Sequence, residues 1–137
     1  MPRAFNPPGV SPPFGAFSLV TLQGDGQVVD LKGQVPLDAE GNIVGIGDMP
    51  VQVDKVLENI QAVLAALGGE MGDILSLTQH TTDIAAFMTS GDVRARYFKE
   101  SYPATTTVEV LALYHPDILA EIMAIAEIPR GRFVHPG

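Results

Sequence analysis

The chain has 137 residues, a net charge of −8 and no cysteine. An apolar fraction of 46% with only 18% charged residues is typical of a folded domain and excludes a disordered chain. The lack of cysteine excludes disulfides, thiolate catalysis and cysteine metal sites, and the acidity opposes nucleic-acid binding.

The length predicts one domain that spans residues 1–137. The N-terminus carries no signal-peptide core and no apolar run reaches membrane-spanning length, so we expect a cytoplasmic protein without membrane contact. Residues 1–13 are rich in proline and predict an extended N-terminal arm. Residues 128–137 are expected to form a C-terminal tail.

Two strand-like runs and one clear helix follow the arm. Residues 17–22 and 28–31 flank the turn Gly24-Asp25-Gly26, a pattern that predicts a β-hairpin. Pro50 suits the first turn of the helix, and the glycines at 68–69 suit its end. One apolar face follows at the three/four spacing of a helix: Val53, Val56, Leu57, Ile60, Val63, Leu64 and Leu67.

The second half of the chain predicts a strand, a helix and two more strands. Residues 74–82 form the first of these strands. Ser90 is a candidate cap for a helix that runs to about Glu100 and must end before Pro103. The last two strands, 105–112 and 119–126, are joined by a turn around His115. The order ββαβαββ predicts an α+β fold with two helices on one face of a mixed sheet.

The other face of this sheet has no helix left to cover it. Alternation along the last strand puts Leu119, Glu121, Met123 and Ile125 on one side. In the strand before it, Val108 and Val110 lie on one side and Thr105, Thr107 and Glu109 on the other. If the two apolar sides coincide, a half-apolar face would meet water. Burial of that face between subunits would avoid this cost, so self-association is expected.

Five segments, in order along residues 14–126, resemble motifs of the Rid (reactive intermediate deaminase, YjgF-like) family. The family motifs are Gly-Pro-Tyr-Ser, Ser-Gly-Gln-Ile-Pro-Leu, Val-Leu-Glu-Asn-Leu, Pro-Ala-Arg-Ser-x-Val-Glu-Val and Glu-Ile-Glu-Ala-Ile-Ala. They resemble, respectively, residues 14–18 (FGAFS), 32–37 (KGQVPL), 56–60 (VLENI), 103–110 (PATTTVEV) and 121–126 (EIMAIA).

The resemblance implies a chorismate-mutase-like subunit that forms a homotrimer with three inter-subunit clefts. It implies hydrolysis of reactive enamines or imines to a carbonyl compound and ammonia, without metal or cofactor. It also implies that Glu121 is the catalytic residue that positions the attacking water.

Other family positions have changed in this chain. The arginine that holds a substrate carboxylate is replaced by Thr105, the tyrosine by Phe17, and the serine before Gly33 by Lys32. A second-helix asparagine falls on Gly91. The missing arginine predicts a substrate other than the family's 2-imino acids. The candidate substrate-binding residues are Thr105, Thr107, Lys32, Gly33, Phe17 and Tyr114.

Two further interpretations stay open beside the hydrolase. One is a non-catalytic trimer whose clefts bind a small metabolite or a protein partner. The other, a ribonuclease, is disfavoured by the acidity. His80, His115 and His135 lack metal-ligand spacing, and His80 is interpreted as a polar subunit contact. Arg94 and Arg96 are predicted to be solvated.

Overall fold

The structure is a computed structural model, and it describes residues 3–137. Six strands and three α-helices follow one another in an α+β arrangement, with a short 3-10 helix (Met71–Asp73) before the fourth strand. They are β1 (Arg3–Phe5), β2 (Val20–Leu22), β3 (Gln27–Gln34), α1 (Met49–Ala66), β4 (Ile74–Thr81), α2 (Ile84–Met88), α3 (Gly91–Ala95), β5 (Ala104–Glu109) and β6 (Ala120–Ile128). Within residues 3–137 no helix combines the length and the apolar character needed to cross a membrane.

A four-stranded mixed sheet carries the fold, with strand order β3-β6-β4-β5. β6 is antiparallel to both of its neighbours, and β4 is parallel to β5. The core lies between one face of this sheet and the helices. It contains Leu77 of β4, the alternate residues Ala120–Ala126 of β6, and the apolar face of α1.

Helix α1 forms where the apolar spacing predicted it. The Asp48 carboxylate accepts a hydrogen bond from the Val51 amide at 3.2 Å, and Pro50 occupies the first turn. The chain leaves the helix at Gly68, whose φ of +79° favours glycine. Along the predicted face, five side chains are fully buried: Val53, Val56, Leu57, Ile60 and Leu64.

The predicted hairpin around Gly24-Asp25-Gly26 is wrong in its pairing. β2 pairs with β1 in a separate two-stranded sheet, and β3 pairs with β6. The buried Glu127 carboxylate of β6 accepts hydrogen bonds from the Gly24 and Gly26 amides at 2.9 and 2.8 Å. The turn is therefore tied to β6. The N-terminal arm likewise contains β1, although its first two residues lie outside the described range.

The predicted second helix is two short helices, α2 and α3, and it begins earlier than expected. Asp83 caps α2, since its carboxylate accepts from the Ala86 amide at 3.1 Å. Ser90 precedes α3 but does not cap it with its side chain. Its hydroxyl donates to the Ala86 carbonyl at 3.3 Å instead. β5 also ends at Glu109, three residues before the predicted end.

The C-terminal segment after β6 packs against the end of α1. Arg132 donates to the Gly68 carbonyl at 2.9 Å and to the buried Asp73 carboxylate at 2.6 Å. The bond to Asp73 raises the pKa of Arg132 above its ordinary value. The Val134 amide also donates to the Leu67 carbonyl. These contacts anchor the segment that the sequence predicted to be a tail.

The second face of the sheet carries a mixed apolar and polar surface, as the strand alternation predicted. Strand register joins Thr78 to Met123 and Ser76 to Ile125 on this face. Val108, beside His80, lies on it as well, and Met123 and Val108 are each 40% exposed. The apolar sides of β5 and β6 therefore coincide. Leu119 differs from the prediction, because it precedes β6 and packs towards the core. We call this surface the open sheet face.

Candidate functional site

Glu121 lies half-buried on the open sheet face of β6, with its side chain over Gly33 of β3. A register shift between Leu31 and Gln34 inserts one extra residue into β3 at this point. A Cβ built on Gly33 would lie 2.9 Å from the carboxyl carbon of Glu121, closer than side chains normally approach. Gly33 is therefore required for the close approach of the carboxylate.

Lys32 lies beside this pair at the surface. Its side chain is exposed, and its ammonium donates to the Gly33 carbonyl at 3.2 Å. The positive charge is thus held next to the glycine over which Glu121 lies. This position suits an anionic substrate group, although the ammonium offers a point charge rather than a two-pronged clamp.

Thr105 and Thr107 lie on the opposite face of the sheet from Glu121. Thr105 is in register with the core residue Leu77, so both side chains point to the helix side. The Thr105 hydroxyl donates to the Pro103 carbonyl at 3.0 Å, and the Thr107 hydroxyl accepts from the side-chain amide of Gln79 at 2.8 Å. Within one subunit the structure does not bring these threonines to Glu121. β5 is the edge strand of the sheet, so they could join Glu121 only across a boundary between two subunits.

Phe17 lies near the start of β5, close in the fold to Thr105. The Ser18 amide donates to the Pro103 carbonyl at 3.1 Å, which holds this segment against β5. Phe17 is half-buried and stacks edge-to-face on Phe14 at 5.0 Å. Tyr114, in the loop between β5 and β6, is 67% exposed. Within one subunit, Phe17 thus lies at the start of β5 and Tyr114 in the loop that follows its end, and the structure does not bring the two together.

His80 of β4 is a neighbour of Glu121 that the sequence interpretation did not assign to the site. The two residues are directly opposite each other on antiparallel strands, and both are half-buried on the open sheet face. Val108 of β5 lies on the other side of His80. The alternation of Thr78 and His80 showed which face the histidine occupies. The pairing of β4 with β6 could not be known from that alternation.

Arg94 of α3 is half-buried, with part of its guanidinium shielded from solvent, which corrects the prediction that it is solvated. Its Nε and Nη2 atoms are inaccessible and have no hydrogen-bond partner among residues 3–137. The guanidinium carbon lies 5.4 Å from the centre of the Phe98 ring. Burial lowers the pKa of Arg94 below its ordinary value. Arg96, by contrast, is exposed, and its guanidinium lies 3.5 Å from the Asp54 carboxylate.

A surface cavity of about 330 Å³ lies elsewhere, between the start of β4 and the segment before β5. Tyr97, Phe98 and Pro103 line part of its wall. None of the predicted site residues is among its lining residues. The candidate site is the open sheet face around Glu121, where the catalytic residue that the sequence predicted lies half-buried over Gly33.

Comparison with known proteins relates this geometry to one family. Residues 10–128 match the family model described as Endoribonuclease L-PSP. A RutC family protein of Pyrococcus horikoshii is 38% identical over 83% of this chain and 88% of its own length.

Solved structures agree with the sequence match. The Rid family protein YyfB from Yersinia pestis superposes with a TM-score of 0.82 at 30% identity, covering 93% of this chain and 98% of its own. RidA from the Antarctic bacterium Psychrobacter sp. gives a TM-score of 0.67 at 30% identity, covering 86% of this chain and 94% of its own.

Proposed function

The chain belongs to the Rid (YjgF-like) family, and we propose that it hydrolyses a small reactive enamine or imine in clefts between the subunits of a homotrimer. The observation that carries this proposal is the Glu121 carboxylate over Gly33, half-buried on the open sheet face. A carboxylate in such a place can remove a proton from water beside a bound substrate.

The open sheet face supports the assembly part of the proposal. Met123 and Val108 are each 40% exposed there, while Ile125 is half-buried. Contact with other copies would remove these apolar groups from water, at about 25 cal/mol per Å² buried. It would also enclose Glu121 in a cleft and bring the edge strand β5 of one subunit towards a neighbour. Thr105, Thr107 and Phe17 could then complete the site from across the boundary.

The proposed reaction is the addition of water to a C=N bond. An enamine first gains a proton at carbon, loses one at nitrogen and so becomes the imine. Glu121 takes a proton from water as the water oxygen bonds to the imine carbon, and the nitrogen gains a proton. The nitrogen of the resulting carbinolamine gains a second proton, the C–N bond breaks to release ammonia, the hydroxyl proton is released, and a carbonyl compound remains. No redox partner is needed for this balance.

The substrate is expected to differ from a 2-imino acid. Thr105 stands where the family arginine would grip a carboxylate, and its hydroxyl already donates to the Pro103 carbonyl. A neutral hydrogen bond is roughly half as strong as a charge-assisted one. Lys32 is the cation that could replace the arginine, since its ammonium lies at the Gly33 carbonyl.

A non-catalytic trimer that binds a metabolite or protein partner is the alternative. The hydrogen bond from the Thr105 hydroxyl to the Pro103 carbonyl favours this alternative. Thr105 stands at the position of the family's substrate-binding arginine, and its hydroxyl already donates within its own chain. The endoribonuclease in the family description is opposed by the net charge of −8, because a nucleic-acid partner is a polyanion.

The test is turnover of a panel of enamines and imines, with 2-aminoacrylate generated in situ as one member. We expect the native protein to act on a member without a carboxylate and to act weakly on 2-aminoacrylate. Glu121→Gln should slow turnover by roughly a hundredfold or more. The control is Glu58→Gln, whose carboxylate lies at the surface of α1 and pairs with Lys55.

Two results would decide against the hydrolase. Fast native turnover that is unchanged in Glu121→Gln would remove the proposed mechanism. No turnover on the whole panel, together with saturable binding of one of its members, would support the non-catalytic trimer. Lys32→Ala tests whether the lysine binds the substrate carboxylate in place of the family arginine. A sharp loss of 2-aminoacrylate turnover in this variant would show that it does.

A further inference from the structure

His80 of β4 lies directly opposite Glu121 of β6 in the strand register. Residues directly opposite on antiparallel strands have Cβ atoms about 4.5–5.5 Å apart, and His80 and Glu121 stand in this relation. Both side chains are half-buried on the open sheet face. They do not hydrogen-bond to each other, so a small substrate group can be held between the imidazole and the carboxylate.

The His80 imidazole makes no hydrogen bond to any other group among residues 3–137. The Nδ1 atoms of His115 and His135 accept hydrogen bonds from the amides of Asp117 and Gly137, two residues further along each loop. Among residues 3–137, the His80 ring has no such partner. A half-buried histidine whose ring nitrogens are unused by the fold can exchange protons with a bound molecule.

We propose that His80 is a second catalytic residue, the general acid that works with Glu121; this inference rests on the proposed hydrolysis. The reaction needs one group to take a proton from water and another to give a proton to the departing nitrogen. Glu121 takes the water proton as the C–O bond forms. The His80 imidazolium gives its proton to the carbinolamine nitrogen as the C–N bond breaks, ammonia leaves and the hydroxyl proton passes to solvent. Solvent then returns a proton to His80 and accepts the proton held by Glu121.

The groups around His80 favour a pairing with Glu121. From β6 the neighbours on this face are Glu121 and Met123, and from β5 they are Thr106 and Val108. From β3, beyond Glu121, come Gly33 and the exposed Lys32, whose ammonium is held at the Gly33 carbonyl. Among residues 3–137, Glu121 is therefore the titratable group in direct cross-strand register with the imidazole, which places the two side chains on the same substrate-facing surface.

The test compares native protein, His80→Gln and Glu121→Gln on the best substrate of the panel, with kcat and KM measured across pH. In His80→Gln we expect kcat to fall about 10- to 100-fold with KM nearly unchanged. The limb on which native activity falls as pH rises should disappear, because that limb reports loss of the acid's proton. His135→Gln is the control, since His135 is an exposed residue of the C-terminal segment.

The outcomes separate this inference from the proposed function. Loss of activity in Glu121→Gln with native kcat and both pH limbs in His80→Gln would leave the hydrolase standing and overturn the role of His80. Absence of native turnover would overturn both. The mass of each variant in solution is also measured by light scattering. If both His80→Gln and His80→Asn lose the native mass, the histidine serves subunit contact and the inference is wrong.

Discussion

The Glu121 carboxylate lies so close over Gly33 that the glycine has no room for a side chain. A Cβ on Gly33 would lie 2.9 Å from both the carboxyl carbon and the Cγ of Glu121. The backbone of Gly33 does not have a positive φ, so the glycine is needed for space and not for backbone geometry. Function and folding can therefore be separated at this residue.

Gly33→Ala should damage activity much more than stability. The atoms that the new methyl group meets belong to the mobile end of Glu121, which can swing away at small cost. We expect the unfolding free energy to change by less than about 1 kcal/mol, as for other surface changes. Turnover should fall towards that of Glu121→Gln, because a displaced base no longer reaches its water.

Denaturant unfolding and panel turnover, measured on the same preparations, check this prediction. Gly91→Ala is the control, because a Cβ there meets nothing within 4 Å. Full activity in Gly33→Ala would show that the position of the Glu121 carboxylate over Gly33 is not the productive one.

Met123→Lys should break the proposed trimer. The lysine would place a charge on the open sheet face, opposite Thr78. Desolvation of an unpaired charge in an interface costs several kcal/mol, so assembly at micromolar concentration should be lost. Val63→Lys is the matched control, because Val63 is 38% exposed but lies on α1. Light scattering checks both variants. A native mass for Met123→Lys would exclude this face as the subunit contact.

The spacing of apolar residues predicted α1 and the buried sides of the strands, because this spacing follows directly from which side chains are buried. The apolar spacing identified α1, and alternation placed Glu121 and Met123 on the same side of β6. The resemblance to the Rid family, borne by short motifs, was confirmed by the family match and by the solved relatives.

The features that the sequence did not predict depend on contacts between residues that are far apart in the chain. Gly24 and Gly26 look like a hairpin turn, yet Glu127, about a hundred residues later, binds their amides and directs the chain away from that pairing. Strand alternation predicted which face of the sheet His80 lies on, but it could not predict that Glu121 lies opposite His80 on the neighbouring strand. Arg94 lies on a five-residue helix, which is too short for an apolar period to reveal its buried side.

Tyr97 should make stability depend on pH above the neutral range. Burial, and then its hydrogen bond to Asp54, raise the pKa of Tyr97 to about 12 from an ordinary value of 10.0. A raised pKa means that the folded state keeps the phenol proton longer than the unfolded state does. The contribution of Tyr97 to stability is therefore complete below pH 10 and is lost as pH rises through 12.

The measurement is the difference in unfolding free energy between native protein and Tyr97→Phe, taken at several pH values. The difference should be positive below pH 10, because the phenol donates to Asp54 at 2.7 Å, and it should shrink towards pH 12. Tyr114→Phe is the control, since Tyr114 is 67% exposed. A difference that stays constant over this range would contradict the raised pKa.

Arg94→Met should stabilise the folded subunit. The guanidinium buries Nε and Nη2 without a hydrogen-bond partner among residues 3–137, and each group left in this state costs about 1–3 kcal/mol. Methionine keeps the unbranched stem and removes the charge, at the loss of a contact with the Phe98 ring worth about 0.5–1 kcal/mol. We expect a net gain of about 1 kcal/mol in unfolding free energy.

The sign of this effect should not change near neutral pH, because burial lowers the pKa of Arg94 but arginine remains protonated there in both states.

Arg96→Met is the matched control on the same segment. The Arg96 side chain is 64% exposed and only 3.5 Å from the Asp54 carboxylate, so its removal should change stability by less than about 0.5 kcal/mol. Denaturant unfolding and light scattering on both variants check the prediction. A less stable Arg94→Met protein with a reduced mass would mean that the guanidinium is satisfied by a carboxylate of another subunit, which would make Arg94 a residue of the assembly.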